Sequence, residues 1–105
     1  MIDEDPTKAF MESIDRTIHE PARLMIMSHL YVLESADFQF LIARTGLTEG
    51  NLSSHIRKLE QAGYLMVDKG YKGRRPHTML RLTKNGRSSF RKYHALMREF
   101  FSEKI

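Results

Sequence analysis

The sequence contains no cysteine. Disulfides, thiolate metal ligands and a cysteine nucleophile are thereby excluded, although the absence does not by itself fix a compartment. No stretch approaches the ~18 consecutive apolar residues of a membrane span. The first twenty residues carry Asp3, Glu4 and Asp5 where a secretory signal would need a basic start and an apolar run. A soluble cytoplasmic chain is expected, without membrane partners. Internal repeats, low-complexity tracts and linkers are also missing. The five histidines, His19, His29, His55, His77 and His94, are scattered, with no His-Glu-x-x-His spacing and no phosphate-cradling glycine loop. No catalytic residue, metal ligand set or cofactor is therefore assigned, and an enzyme is not expected. Metal sensing through ligands from two chains and a small-molecule effector stay open, with nothing in the sequence requiring either.

What is present is a charge asymmetry. The formal net charge is +4 over 105 residues. Residues 1–20 hold six acids and two bases, for −4, and residues 21–46 balance at zero. Residues 47–105 hold thirteen bases and five acids, for +8. A polyanionic partner becomes a candidate for that second half. The length allows one domain, residues 1–105, which buries roughly two-thirds of the surface its unfolded chain exposes.

Asp5-Pro6 makes a helix start, and Phe10, Ile14 and Ile18 recur at intervals of four, predicting a helix over 6–18. His19-Glu20-Pro21 interrupts it. Pro21 opens a second helix, apolar nearly all round, in which His29 reads as a core residue. Asp37 can cap a short third helix with Phe38, Leu41 and Ile42 inward. Gly46 suits a left-handed helix end, and Thr48 can cap the next helix, where Leu52, Ile56 and Leu59 share one face. Helix, glycine turn, helix is helix-turn-helix spacing. Strands over residues 64–68 and 78–83 follow, joined by the basic loop Lys69–Pro76, and Thr83 caps a last helix. The seven methionines read as pliable core and interface filler. The predicted order is α-α-α-α-β-β-α, mainly α with a small β-hairpin.

Two stretches carry chemistry. The outer face of residues 48–62 offers Thr48, Asn51, Ser53, Ser54, Arg57 and Lys58. Serine and asparagine can meet base edges or phosphates, arginine can grip guanine bidentately, and small side chains let a helix sink into a groove about 12 Å wide. The plain alternative is an ordinary solvated helix, with His55 packing at its edge. The loop offers Lys72, Arg74 and Arg75 beside flexible glycines, suited to phosphate contact or minor-groove insertion. Its plain alternative is a charged tip that discourages edge pairing. Their succession, one short strand apart, favours double-stranded DNA as the partner.

The run from Pro21 to Gly86 resembles winged-helix transcriptional regulators of the MarR/ArsR type, particularly small stand-alone proteins of archaea and bacteria. The resemblance rests on Pro21-Ala22-Arg23-Leu24, Leu47-Thr48-Glu49-Gly50-Asn51-Leu52-Ser53-Ser54-His55-Ile56, Leu59-Glu60-Gln61-Ala62-Gly63-Tyr64 and Leu82-Thr83-Lys84-Asn85-Gly86-Arg87. It implies a dimeric repressor or activator reading the major groove with residues 48–62 and touching flanking DNA with residues 70–76. Arsenic-repressor relatives often sense metals through cysteine clusters, which this chain lacks.

The expectation is thus a winged helix-turn-helix core over 21–83, flanked by dimerisation helices over 6–18 and 84–104. Phe10, Ile14, Ile18, Phe90, Tyr93, Met97, Phe100 and Phe101 form apolar stripes too large for so small a domain to bury, and are assigned to a homodimer interface. The dimer would control transcription from a near-palindromic operator. The alternatives are a last helix folded over its own first helix and, for function, a winged helix serving protein–protein contact in a larger assembly.

Overall fold

Each helix begins on a side chain that accepts a hydrogen bond from an otherwise free backbone N–H of the first turn. In the computed structural model, which describes residues 5–104, Asp5 opens α1 (Pro6–Ser13), Glu20 opens α2 (Pro21–Leu33) and Asp37 opens α3 (Phe38–Thr45). Thr48 opens α4 (Glu49–Gln61) and Thr83 opens α5 (Lys84–Glu99), which continues as a π-helical turn, Phe100–Lys104. Gly46 ends α3 in the left-handed conformation at φ 71°, where a Cβ would strain the backbone. That residue fixes the turn between α3 and α4.

A three-stranded antiparallel sheet completes the fold, in the order β1 (Ala36–Asp37), β3 (Arg75–Leu82), β2 (Leu65–Lys72). Leu65 pairs with Leu82, Val67 with Leu80, Lys69 with Thr78 and Tyr71 with Pro76. Leu65, Leu80 and Leu82 enter the core, together with Ile26, Met27 and Leu30 of α2, Leu41 of α3, and Leu52, Ile56 and Leu59 of α4.

Four features differ from the sequence expectation. The first helix stops at Ser13 instead of continuing to residue 18. Ile14 is extended (φ −69°, ψ 136°), and the Asp15 carboxylate accepts from the amides of Thr17 and Ile18 at 2.9 and 3.2 Å. A side chain has replaced helical carbonyls as their acceptor. The strand Ala36–Asp37 was not expected, being too short to show alternation. The basic segment 69–76 is mostly strand. Only Gly73 and Arg74 form the turn, and the ladder runs out to the Lys72–Arg75 pair. Gly73 has φ 66°, and glycine with positive φ at the first central position suits the II′ turns that tight hairpins favour. His29 is half-buried and not enclosed in the core, its ring edge-on to Phe40 with centroids 6.2 Å apart.

The end of α4, the start of β2 and the start of α5 meet at one junction. The amide of Thr83 donates to the carbonyl of Tyr64 at 3.0 Å. Its hydroxyl donates to the carbonyl of Gly63 at 2.6 Å and accepts from the Gly86 amide at 2.9 Å. Gly86 is buried, and a Cβ there would overlap the Tyr64 carbonyl. Gly86→Ala should therefore force α5 away from β2 and destabilise the protein by about 3 kcal/mol, at the upper end of overpacking costs. Gly50→Ala is the control, because a Cβ at that exposed helical site meets nothing within 4 Å. It should gain up to about 1 kcal/mol of helix propensity. Denaturant unfolding of both variants checks the contrast, and an unperturbed Gly86→Ala protein would contradict it.

Candidate nucleic-acid interface

Helix geometry sorts the side chains of α4 once its buried face is known. Leu52, Ile56 and Leu59 point inward, at 0%, 6% and 0% exposure. At 3.6 residues per turn, Gly50, Ser54, Arg57 and Gln61 then point outward. Ser53 and Glu60 turn toward the sheet, and Asn51 and Lys58 occupy the opposite flank. Asn51, Arg57 and Lys58 are exposed, while Ser53 and Ser54 are half-buried. Thr48 is exposed, and its hydroxyl accepts from the Asn51 amide at 3.1 Å. Thr48 is thus committed to holding the first turn.

A small network holds α4 in this rotation. The Arg23 guanidinium donates to the Thr17 carbonyl at 2.6 Å and to His55 Nδ1 at 3.1 Å. Glu20 accepts from the Arg23 amide at 2.9 Å, with its carboxylate 3.8 Å from His55. Burial by itself would raise the Glu20 pKa. The Arg23 amide, with the charge of the Arg23 guanidinium and the Ala22 amide, outweighs it and holds the carboxyl below its ordinary value of 4.5. His55 therefore ties α4 to the head of α2 on the flank away from the sheet. At the base of the hairpin, Asp37 is held below its ordinary 3.8, chiefly by the Phe40 amide and then by His77, 3.5 Å away.

The hairpin has two distinct sides because strand residues alternate. Val67, Lys69, Thr78 and Leu80 face α4. With Phe38, Ser53, Ile56, Arg57 and Glu60 they line a groove of about 350 Å³. The other side carries Met66, Asp68, Gly70 and Lys72, paired with Arg81, Met79, His77 and Arg75. Asp68 and Arg81 form an exposed ion pair there at 3.4 Å. Lys72, Arg74 and Arg75 are all exposed at the tip. Ser53 and Arg57 are thus brought to the same groove as the hairpin, and Asn51 and Lys58 are not. Lys69 and Thr78 were missed as site residues. The period-2 run Leu65, Val67, Lys69 was the signal that could have placed Lys69 on the helix-facing side.

The terminal stripes are partly used within the chain. Ile18 has no exposed surface and Tyr93 has 6%, so both belong to this chain's own core. The assignment of these two residues to a dimer interface is thereby corrected. The short α1 and the turn after it carry Ile18 inward, off the stripe that a continuous helix would have made. The Tyr93 hydroxyl lies 2.7 Å from His19 Nδ1, and burial pushes its pKa up. Ile14 and Met97 pack against the core margin, as does Phe90, whose ring lies 5.1 Å from that of Tyr31. Phe10 stacks on Phe100 at 4.2 Å within the chain, while Met11 and Phe101 remain 54% and 58% exposed.

Helix, left-handed glycine turn, helix and a basic hairpin define a winged helix-turn-helix protein. In helix-turn-helix proteins the second helix of the motif offers its outer face to the DNA major groove. A family model described as a winged helix DNA-binding domain matches residues 22–101. The chain belongs to that winged helix DNA-binding domain family. An uncharacterized protein of Methanocaldococcus jannaschii is 37% identical over 71 residues, spanning 68% of this chain and 77% of that protein. The transcriptional regulator homologue protein from Pyrococcus horikoshii OT3 superposes with a TM-score of 0.82 at 30% identity, covering 93% of this chain and 95% of that one. A MarR-family transcriptional regulator from Enterococcus faecalis V583 shares the fold at TM-score 0.73 and 20% identity, over 99% and 94% of the two chains. The winged-helix resemblance holds in sequence family, and the likeness to MarR-type regulators holds in fold. The relatives with named roles are regulators rather than enzymes.

Proposed function

We propose that the protein is a sequence-specific double-stranded DNA-binding regulator acting as a homodimer on a near-palindromic operator in the cytoplasm. The observation that carries this reading is the groove shared by α4 and the hairpin, with Arg57 on one wall and Lys69 on the other. Asn51, Ser53, Ser54 and Arg57 address the major groove, Lys58 takes a phosphate, and Thr48 holds the helix start. Lys72, Arg74 and Arg75 meet the flanking backbone. Among the described residues, no helix is long and apolar enough to cross a membrane.

Dimerisation is supported by shape and by exposed apolar surface. The radius of gyration is 16.1 Å, against about 13 Å for a compact domain of this length. α1 rests on the C-terminal turn through Phe10 and Phe100, leaving a groove of about 190 Å³ between them. Phe101, Met97 and the rim of the Phe10–Phe100 pair supply the surface a second copy would cover, with Ile14 and Phe90 at its margin. The two-fold arrangement would set two α4 helices in successive major grooves, about 34 Å or a multiple apart.

Arg57→Ala should cost roughly 1–3 kcal/mol in affinity and relax base preference at one position per half-site. A panel of single-substituted duplexes checks this. An equal loss on every duplex would make Arg57 a phosphate contact, and no loss on any would remove α4 from the interface and favour a protein–protein role. Light scattering should give twice the chain mass at micromolar concentration, and Phe100→Glu with Phe101→Glu should give monomers with much weaker DNA binding. A wild-type protein that is monomeric both free and on DNA would contradict the dimer. The Phe10–Phe100 contact would then be the complete packing of the terminal segments.

A further inference from the structure

Beyond the groove, the helix-facing side of the hairpin ends in a rung that the protein itself does not use. Tyr71 pairs with Pro76, two residues past the Lys69–Thr78 rung and four past Val67–Leu80. Strand alternation places Tyr71 and Pro76 on the α4 side, about 13 Å beyond the groove floor at ~3.3 Å per residue. The Tyr71 side chain is 76% exposed. An aromatic ring gains little from its own hairpin when three-quarters of it stays in water. Its surroundings are cationic: Lys69 precedes it on the same side, and Lys72, Arg74 and Arg75 surround the tip. Lys72 and Arg75 form the last rung and point to the opposite side of the ribbon. Charge thus lies on both sides of the tip, whereas the apolar surface lies only on the side turned toward α4.

We propose that Tyr71, backed by Pro76, is the wing's apolar contact with double-stranded DNA, packing on the deoxyribose wall of the minor groove next to the major groove occupied by α4. This rests on the DNA-binding reading above and deepens it by assigning the wing a contact that is not electrostatic. The occupant follows from charge and shape. A partner meeting this ring must also accept four nearby cations and present apolar surface between anionic groups. The sugar–phosphate backbone offers that alternation, with deoxyribose faces between phosphates. Because the ring displaces no condensed counterions, its contribution to affinity is independent of salt, unlike that of the tip arginines.

The chain has no tryptophan, so Tyr71→Trp introduces a single fluorophore at the proposed contact. Its emission should shift to the blue, as the indole leaves water, when the protein is titrated with a mixed-sequence duplex. Tyr71→Thr removes the ring while keeping a strand-favouring residue. It should bind the same duplex about tenfold more weakly, with the wild-type slope of log affinity against log salt. The Arg74→Ala, Arg75→Ala variant should lower that slope by about 0.9 for each phosphate it no longer neutralises. Unchanged emission from the Tyr71→Trp protein at saturation would overturn the proposal, as would wild-type affinity in Tyr71→Thr. A weakening accompanied by a reduced salt slope would overturn it too, assigning the effect to displaced charges. If the wild-type protein binds no duplex, the DNA reading itself fails and the proposal falls with it.

Discussion

The architecture depends on the close approach of α5 to the chain between α4 and β2. Gly86 lies against the Tyr64 carbonyl with no room for a side chain, and Thr83 bonds to both Gly63 and Tyr64. One junction therefore sets where α4 ends, where the hairpin begins and where the C-terminal helix leaves. The Tyr64 hydroxyl extends the same node by donating to Asp15, the residue that turns the chain after α1. Without this contact, α4 and the hairpin could each fold locally yet lose their mutual angle. That angle decides whether both can meet one duplex.

Around the node, polar and apolar constraints divide the labour. Three buried aliphatic residues fix which face of α4 points outward, and the Arg23–His55–Glu20 network restrains the flank away from the sheet. The hairpin is held less tightly. Its base is packed through Leu65, Leu80 and Leu82, while its outer half is held by the ladder, the Gly73 turn and the His77–Asp37 contact. A stiffly held helix and a projecting ribbon suit different tasks: registering base edges and accommodating a backbone of variable groove width.

Much of this was legible in the sequence because the deciding signals are local. Asp37, Thr48 and Thr83 mark helix starts, Gly46 marks a left-handed end, and Leu52, Ile56 and Leu59 fix a face by spacing alone. The errors arose where tertiary structure overrode a local pattern. The four-residue spacing of Phe10, Ile14 and Ile18 read as one helix, but Asp15 captures two amides and carries Ile18 into the core. Glycine and charge between 69 and 76 read as a loop, and it is backbone pairing across the hairpin, not side-chain alternation, that makes the stretch a ladder. Strand Ala36–Asp37 exists only because β3 passes beside it. Which side of the ribbon faces α4 required the register, and so Lys69, Thr78 and Tyr71 were not seen as site residues.

In the proposed complex, α4 and the hairpin of two symmetry-related copies read one DNA site. Selection of bound sequences from a pool of random duplexes by the purified protein tests it most directly. Enrichment of an inverted repeat is expected, with half-sites centred about one helical turn, or a multiple of it, apart. Recovery of a pool with no enriched sequence, or of a single unpaired half-site, would contradict it.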